Sequence, residues 1–292
     1  MEAILWRLRL GARRLLRLAA IPSSPSRWLR PPQIRLLGLL AVRDDLRYLP
    51  GYVASVGAQT DGIIALDDGS SDGSAEFLEA CEEVIELIRI PRDRPAWDEV
   101  GNYLRLVDAG LRHGADWLVS LDADERVERD FRTRLEWVIA RGRLVGLSSY
   151  QVKLRELWNS PEHYRSDGIW GEKIRARIFR ARSGASFDDR PLHGLKVPLE
   201  EFRVRRYPVA DLEVYHLRML RPEDRRARRE RYERADPDSI WQPVIGYAYL
   251  TDERGLRLER IDPTRAYDGR PSNGLDGPTS GDAPGGERQA RR

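Results

Sequence analysis

The chain has 292 residues, with 50 Lys and Arg against 47 Asp and Glu, a net charge of +3, and one cysteine, Cys81. That length allows one large domain or two small ones, with a sizeable core. The lone cysteine excludes a disulfide framework and a multi-cysteine zinc site, and it fits a reducing compartment. The balanced charge argues against a nucleic-acid partner, and no apolar run approaches the ~18–20 residues that span a bilayer. Nearly all basic residues are arginine, since Lys153, Lys173 and Lys196 are the only lysines.

In residues 1–21, Ile4, Leu5, Leu8, Ala12, Leu15, Leu16 and Ala19 recur at helical spacing, with Arg7, Arg9, Arg13, Arg14 and Arg17 among them. Such an Arg-rich amphipathic helix can lie on an anionic membrane surface or pack on its own domain. Residues 22–33 are rich in Pro and Ser and read as a linker. The folded part is expected over 34–265, and the Gly/Pro/Ser/Asp-rich tail, 268–292, reads as disordered.

From residue 34 strands and helices alternate. Strands are expected at Ile34–Val42, Gly62–Leu66, Val84–Ile90 and Asp116–Leu121. Helices are expected at Leu49–Ala58, Ala75–Glu82, Val100–Leu111 and Phe131–Ile139. This order predicts an α/β fold with a mainly parallel central sheet and helices on both faces. After Gly142 the pattern changes to longer strands at Leu144–Leu154, Ile174–Arg180 and Val209–His216, then a highly charged helix at Pro222–Arg234.

Two acidic clusters follow predicted strands, Asp67-Asp68-Gly69-Ser70-Ser71-Asp72-Gly73-Ser74 and Leu121-Asp122-Ala123-Asp124-Glu125. In a parallel sheet both fall on the rim where ligands bind. Carboxylates gathered there repel each other unless a cation joins them. Oxygen donors of this kind suit Mg²⁺ or Mn²⁺ together with substrate phosphates. Asp68 to Glu79 also has the spacing of an EF-hand loop, but a strand rather than a helix precedes it. Ser71 or Asp72 can in addition cap the next helix.

The two clusters in this order, 54 residues apart from Asp68 to Asp122, resemble the family 2 glycosyltransferases of the GT-A fold, in particular bacterial members with a DADE-containing DXD motif. The resemblance covers roughly 34–180 well and extends more loosely to about 265. It implies a nucleotide-binding half at 34–142 and an acceptor half at 143–265. It also implies sugar transfer from a nucleoside diphosphate sugar to a hydroxyl acceptor, a cell-surface glycan or a lipid-linked one, with inversion and with Mn²⁺ or Mg²⁺. Asp67 and Asp68 would contact base and ribose, and Ala41, Val42 and Arg43 would line the nucleotide pocket. Asp122 and Asp124 would form the DXD motif, Asp122 near the nucleotide and both at the metal. His193 and His216 are candidates for an extra metal ligand. The general base would be a carboxylate, Asp189 or Glu172, with Asp189 preferred for its place just before His193.

Two positions depart from the family pattern. The first strand ends in Ala41-Val42-Arg43-Asp44-Asp45, and His193 is followed by Gly194 where relatives carry glutamate. These departures motivate the alternative of a non-catalytic nucleotide- or glycan-binding module on the same fold. The expected location is cytoplasmic, peripheral at the inner face of the cell membrane through the N-terminal helix. The Arg221–Arg234 run reads as a solvated helix face or as a contact for an anionic acceptor.

Overall fold

Apolar residues on both faces of the first strands place this half of the sheet inside the protein. A computed structural model describes residues 20–92, 98–187, 196–199, 208–240 and 242–271. In it β1 (Leu36–Val42) lies between β2 (Ile63–Asp67) and β4 (Trp117–Ser120), with β3 (Val84–Arg89) beyond β2, all parallel. Leu36, Leu40 and Val42 enter one core layer with α1 (Leu49–Val56), α2 (Ser74–Glu79) and α4 (Phe131–Arg143). Leu37 and Leu39 enter the other with α3 (Glu99–Arg112). Each such buried leucine contributes about 1.5–3 kcal/mol relative to exposure. Helices therefore cover both faces, as expected.

The helices begin where local chemistry lets them. Pro50 occupies the first turn of α1, where a missing N–H costs nothing. Asp98 caps α3 by accepting from Gly101 N at 2.9 Å. Asp72 accepts from Ser74 N at 3.0 Å at the start of α2 and from Leu46 N at 2.9 Å. Gly73 is the cap residue itself, so Asp72 serves the helix start from one position earlier, and it also ties two loops together. Between them Gly69 has φ +75, and a Cβ there would meet Arg92 Cα at 2.7 Å.

The second half continues the same sheet. β8 (Ile174–Arg180) pairs antiparallel with β4 and with β6 (Ser149–Glu156). β6 pairs parallel with β9 (Val209–His216), and β9 antiparallel with β5 (Glu125–Val127). The order is β3-β2-β1-β4-β8-β6-β9-β5, with the parallel pairs in the majority. This is the α/β architecture with a mainly parallel central sheet expected from the sequence.

Leu121–Asp124 joins β4 to β5 although β8, β6 and β9 stand between them. Across a flat sheet four strand spacings would separate the two by about 19 Å. Five peptide steps reach roughly 17–18 Å at full stretch. The sheet is therefore curled, and its far edge is brought back beside β4.

The strand expected at Leu144–Leu154 begins only at Ser149. Helix α4 runs on to Arg143, and a turn with Gly146 at φ +71 follows, leaving Leu144 and Val145 71% and 73% exposed. Three short strands were not expected: β5, and the antiparallel pair β7 (His163–Arg165) and β10 (Leu258–Arg260). Three residues are too few to display a period. Helix α5 (Pro222–Ala235) lies where its charged run placed it.

Asp268 pairs with Arg129 at 2.7 Å and Gly269 O accepts from Arg126 at 3.1 Å, so the first residues assigned to the tail pack on the domain. Residues 1–19 and 272–292 lie outside the described residues, as do Asp189 and His193. Among the described residues, no helix is long and apolar enough to cross a membrane.

Candidate active site

The strand directions collect charge at one rim. β1, β2 and β4 end there, β6 and β9 end there with Glu156 and His216 in register, and antiparallel β8 begins there just after Glu172 and Lys173. Asp67, Asp68, Asp124, Glu125, Glu156, Arg177 and His216 are all buried. Buried charges persist only when paired and hydrogen-bonded, and the partners are specific.

At the β1–β2 side, Asp68 N donates to Val42 O at 2.9 Å, which locks the two strand ends together. Arg43 Nη2 donates to Asp68 Oδ2 at 2.6 Å and its Nε to Asp68 O at 2.7 Å. Asp67 Oδ2 accepts from the backbone N–H groups of Gly69 and Ser70 at 3.2 and 3.1 Å. Ala41, Val42, Arg43, Asp67 and Asp68 thus form one continuous patch. Asp44 lies in the left-handed region at φ 55 and accepts from Ser71 N at 2.7 Å, so it braces the acidic loop.

The DADE segment is held from below. The buried Arg126 guanidinium donates to Ala123 O at 2.8 Å, Glu125 O at 2.9 Å and Tyr48 O at 2.8 Å. Burial pushes its pKa down to about 10. Glu125 faces back and takes both Nε and Nη2 of Arg177, at 3.0 and 2.6 Å. Asp122 is more open, pairing with Lys196 and lying 3.7 Å from Arg177 Nη2.

Asp124 points the other way, toward β9. Its Oδ2 lies 2.5 Å from Arg218 Nε and 3.2 Å from His216 Nε2. Burial opposes its charge, but Arg218 and His216 outweigh that and hold the carboxyl well below the usual range. His216 Nδ1 lies 2.5 Å from Glu156 Oε2, and Glu156 Oε1 accepts from Lys173 at 2.7 Å. Burial works against a charged imidazole, yet Glu156 and Asp124 carry its pKa up to about 9. Burial pulls Lys173 and Lys196 down to about 8. Arg218 Nη2 continues to Asp45 at 2.7 Å. Burial raises the Asp45 pKa, against the pull of Arg218.

Three buried carboxylates at this rim, Asp67, Asp68 and Asp124, each keep one oxygen, Oδ1, without a hydrogen-bond partner among the described residues. An orphaned buried acceptor costs about 1–3 kcal/mol, so it marks a place where a donor or a cation belongs. For a divalent cation the free Asp124 oxygen is a suitable donor, and His216 Nε2, here facing Asp124 Oδ2 at 3.2 Å, joins it once the ring gives up its proton, the remaining positions being open to phosphate oxygens and water. No three acidic, histidine or cysteine side chains converge as a complete cation cage among the described residues.

The structure thus brings together Ala41, Val42, Arg43, Asp67 and Asp68, and separately Asp124 and His216, with Asp122 turned toward Lys196. Glu172 is half-buried just before β8, two residues ahead of its first strand position. Asp45, Glu156, Lys173, Arg177, Lys196 and Arg218 were missed. A signal existed for two of them, because Lys173 and Lys196 are two of three lysines in a chain that otherwise uses arginine.

No family model matches the chain. An uncharacterised protein of Mycobacterium tuberculosis is 26% identical over 244 residues, which cover 80% of this chain and 58% of that protein. The chain thus spans less than two thirds of the length of the curated relatives it matches. Among solved structures, the mannosyltransferase PcManGT from Pyrobaculum calidifontis in complex with GDP-Man and Mn²⁺ has a TM-score of 0.44 at 14% identity, over 85% of this chain and 76% of that one. S. aureus TarS 1–349 in complex with UDP-GlcNAc has a TM-score of 0.41 at 10% identity, over 76% of this chain and 74% of that one.

Proposed function

We propose that the chain is a GT-A glycosyltransferase of family 2 type, moving a sugar from a nucleoside diphosphate sugar to a hydroxyl acceptor with inversion. The observation that carries this reading is the set of three buried rim carboxylates with one unpartnered oxygen each. A nucleoside offers N–H and O–H donors, and a diphosphate brings a cation. Asp67 and Asp68 accept from base and ribose, with Ala41, Val42 and Arg43 lining that pocket. Asp124 and His216, with Asp122 beside them, hold Mn²⁺ or Mg²⁺. When bound, the ion neutralises charge on the departing diphosphate.

The chain's own cations serve the same end. Lys196 sits at Asp122 and Arg218 at Asp124, each close enough to turn toward an incoming phosphate. Inversion requires a carboxylate that takes the acceptor hydroxyl's proton as the anomeric carbon is attacked. Asp189 and Glu172 are the candidates for that base, and Glu172 stands at the rim. The acceptor is a glycan or a lipid-linked hydroxyl, approached from the β6–β9 side. The Arg-rich segment of residues 1–21 holds the protein on the inner face of the cell membrane.

Thermal shifts with UDP, GDP, dTDP and CDP, with and without Mn²⁺, test the donor site, since a ligand of the native state stabilises by RT ln(1 + [L]/Kd). One nucleotide is expected to give a shift that needs Mn²⁺. No shift with any of the four sinks the donor reading. A shift without turnover on an acceptor panel favours a non-catalytic module instead. Loss of sedimentation with anionic vesicles after deletion of residues 1–20 checks the membrane contact, and unchanged sedimentation refutes it.

A further inference from the structure

We propose that Arg218 is the resident counter-ion of Asp124, and that it makes divalent cation and nucleoside diphosphate bind as a coupled pair rather than independently. The inference rests on the donor-site reading above and adds a residue that neither acidic motif contains.

Arg218 follows β9 by two residues and bridges two loops. Its Nε lies 2.5 Å from Asp124 Oδ2, after β4, and its Nη2 lies 2.7 Å from Asp45 Oδ1, after β1. The guanidinium carbon stands 4.7 Å over the Tyr48 ring. The backbone is fixed as well, because Leu217 N donates to Asp124 O at 2.9 Å. Both donors that reach Asp124, Arg218 and His216, use the same oxygen, while Oδ1 has none. A positive charge therefore already occupies the carboxylate that a metal ion would use.

A divalent cation arriving alone meets this guanidinium at contact range, where like charges repel strongly in a partly dehydrated site. It also meets Arg218 at its best acceptor pair, which a compact cation cannot replace. A diphosphate changes both terms. Its oxygens neutralise the incoming cation, and they offer Arg218 a charge-assisted acceptor to turn to. With the side chain 24% exposed, Arg218 is accessible from the rim. The two ligands then strengthen each other's binding by the same factor. Of the other charged groups at the rim, His216 at Asp124 is itself balanced by Glu156, which Lys173 also meets, while Lys196 and Arg177 at Asp122 and Arg43 at Asp68 add positive potential and do not relieve the repulsion.

The test is Mn²⁺ binding to the full chain, read from the paramagnetic resonance signal of free Mn²⁺, without nucleotide and then with UDP, GDP, dTDP or CDP. Wild type is expected to bind Mn²⁺ weakly alone and roughly 5- to 150-fold more tightly with the nucleotide it accepts. Arg218→Met removes the charge and is expected to tighten Mn²⁺ binding in the absence of nucleotide and to shrink the coupling. Arg218→Gln, which keeps a donor to Asp124, is expected to do the same if the methionine variant fails to fold. Arg218→Lys keeps the charge and the wild-type pattern. Neutral variants that bind Mn²⁺ no better than wild type overturn the proposal, as does a wild type that binds Mn²⁺ equally well with and without nucleotide. If no nucleotide binds with any variant, the donor reading fails, and the comparison of Mn²⁺ alone still decides the role of Arg218.

Discussion

Glu156 and His216 are register partners at the ends of the parallel pair β6–β9, and Glu156 Oε2 meets His216 Nδ1 at 2.5 Å while the opposite ring nitrogen reaches Asp124. The imidazole is thus clamped between two buried carboxylates. Its folded-state pKa of about 9 lies above the ordinary 6.5, so the native state holds its proton more tightly than the unfolded chain does. The stabilisation is full below pH 6.5 and is lost as pH rises toward 9. Burial pushes Glu128 up to about 7, which lowers stability in the same direction up to that pH, and Lys173 and Lys196, pulled down to about 8, act with the opposite sign above it, so the window left to His216 is pH 7 to 8. The Tm of the protein in chelator is expected to fall between pH 7 and 8, and His216→Gln to flatten the slope there. A slope unchanged in the variant would assign it elsewhere.

Asp124→Asn keeps the shape of the side chain but removes the charge that faces Arg218 and His216. It is expected to abolish the Mn²⁺-dependent part of nucleotide binding and to lower transfer about 100-fold or more. Calorimetry with and without Mn²⁺ checks the first, and donor turnover the second. Wild-type turnover in this variant would remove Asp124 from the metal role.

Asp68→Asn removes the charge that faces Arg43 on the other side of the rim. A charge-assisted hydrogen bond contributes about 1.5–3 kcal/mol, so nucleotide affinity is expected to drop roughly 10- to 100-fold. Mn²⁺ binding alone is expected to stay unchanged, because Asp68 and Asp124 have separate partners. Equal losses in both titrations would mean that the two carboxylates act as one site.

Arg126→Ala leaves the carbonyls of Tyr48, Ala123 and Glu125 without their buried donor. Orphaned groups of this kind cost about 1–3 kcal/mol each, offset in part by water entering the space. Urea unfolding is expected to show a loss of at least ~2 kcal/mol. A change within ~0.5 kcal/mol would mean that the loop closes without it.

The parallel half of the sheet was legible because β1, β2 and β4 are buried on both faces and bounded by turn residues, with the half-buried β3 at its edge. Leu36–Val42 and Ile63–Asp67 leave no other reading. The two acidic loops were legible because they are local strings after those strands. Their partners were not, since Glu156 and His216 stand 60 residues apart and Asp124 and Arg218 stand 94 apart, joined only by strand order. Leu144 and Val145 misled because an exposed apolar pair in a turn looks like the start of a strand.

The short passage from Ser120 to Glu125 has a mechanical consequence. It is the chord of an arc whose curve is made by β8, β6 and β9, and Asp122 and Asp124 sit on that chord. A chord this short keeps the two ends of the arc together. Loosening of the far edge, where Glu128 pairs with Tyr267 and Val127 with Val214, is therefore felt at the two aspartates through the turn that Glu125 N closes on Asp122 O at 2.9 Å.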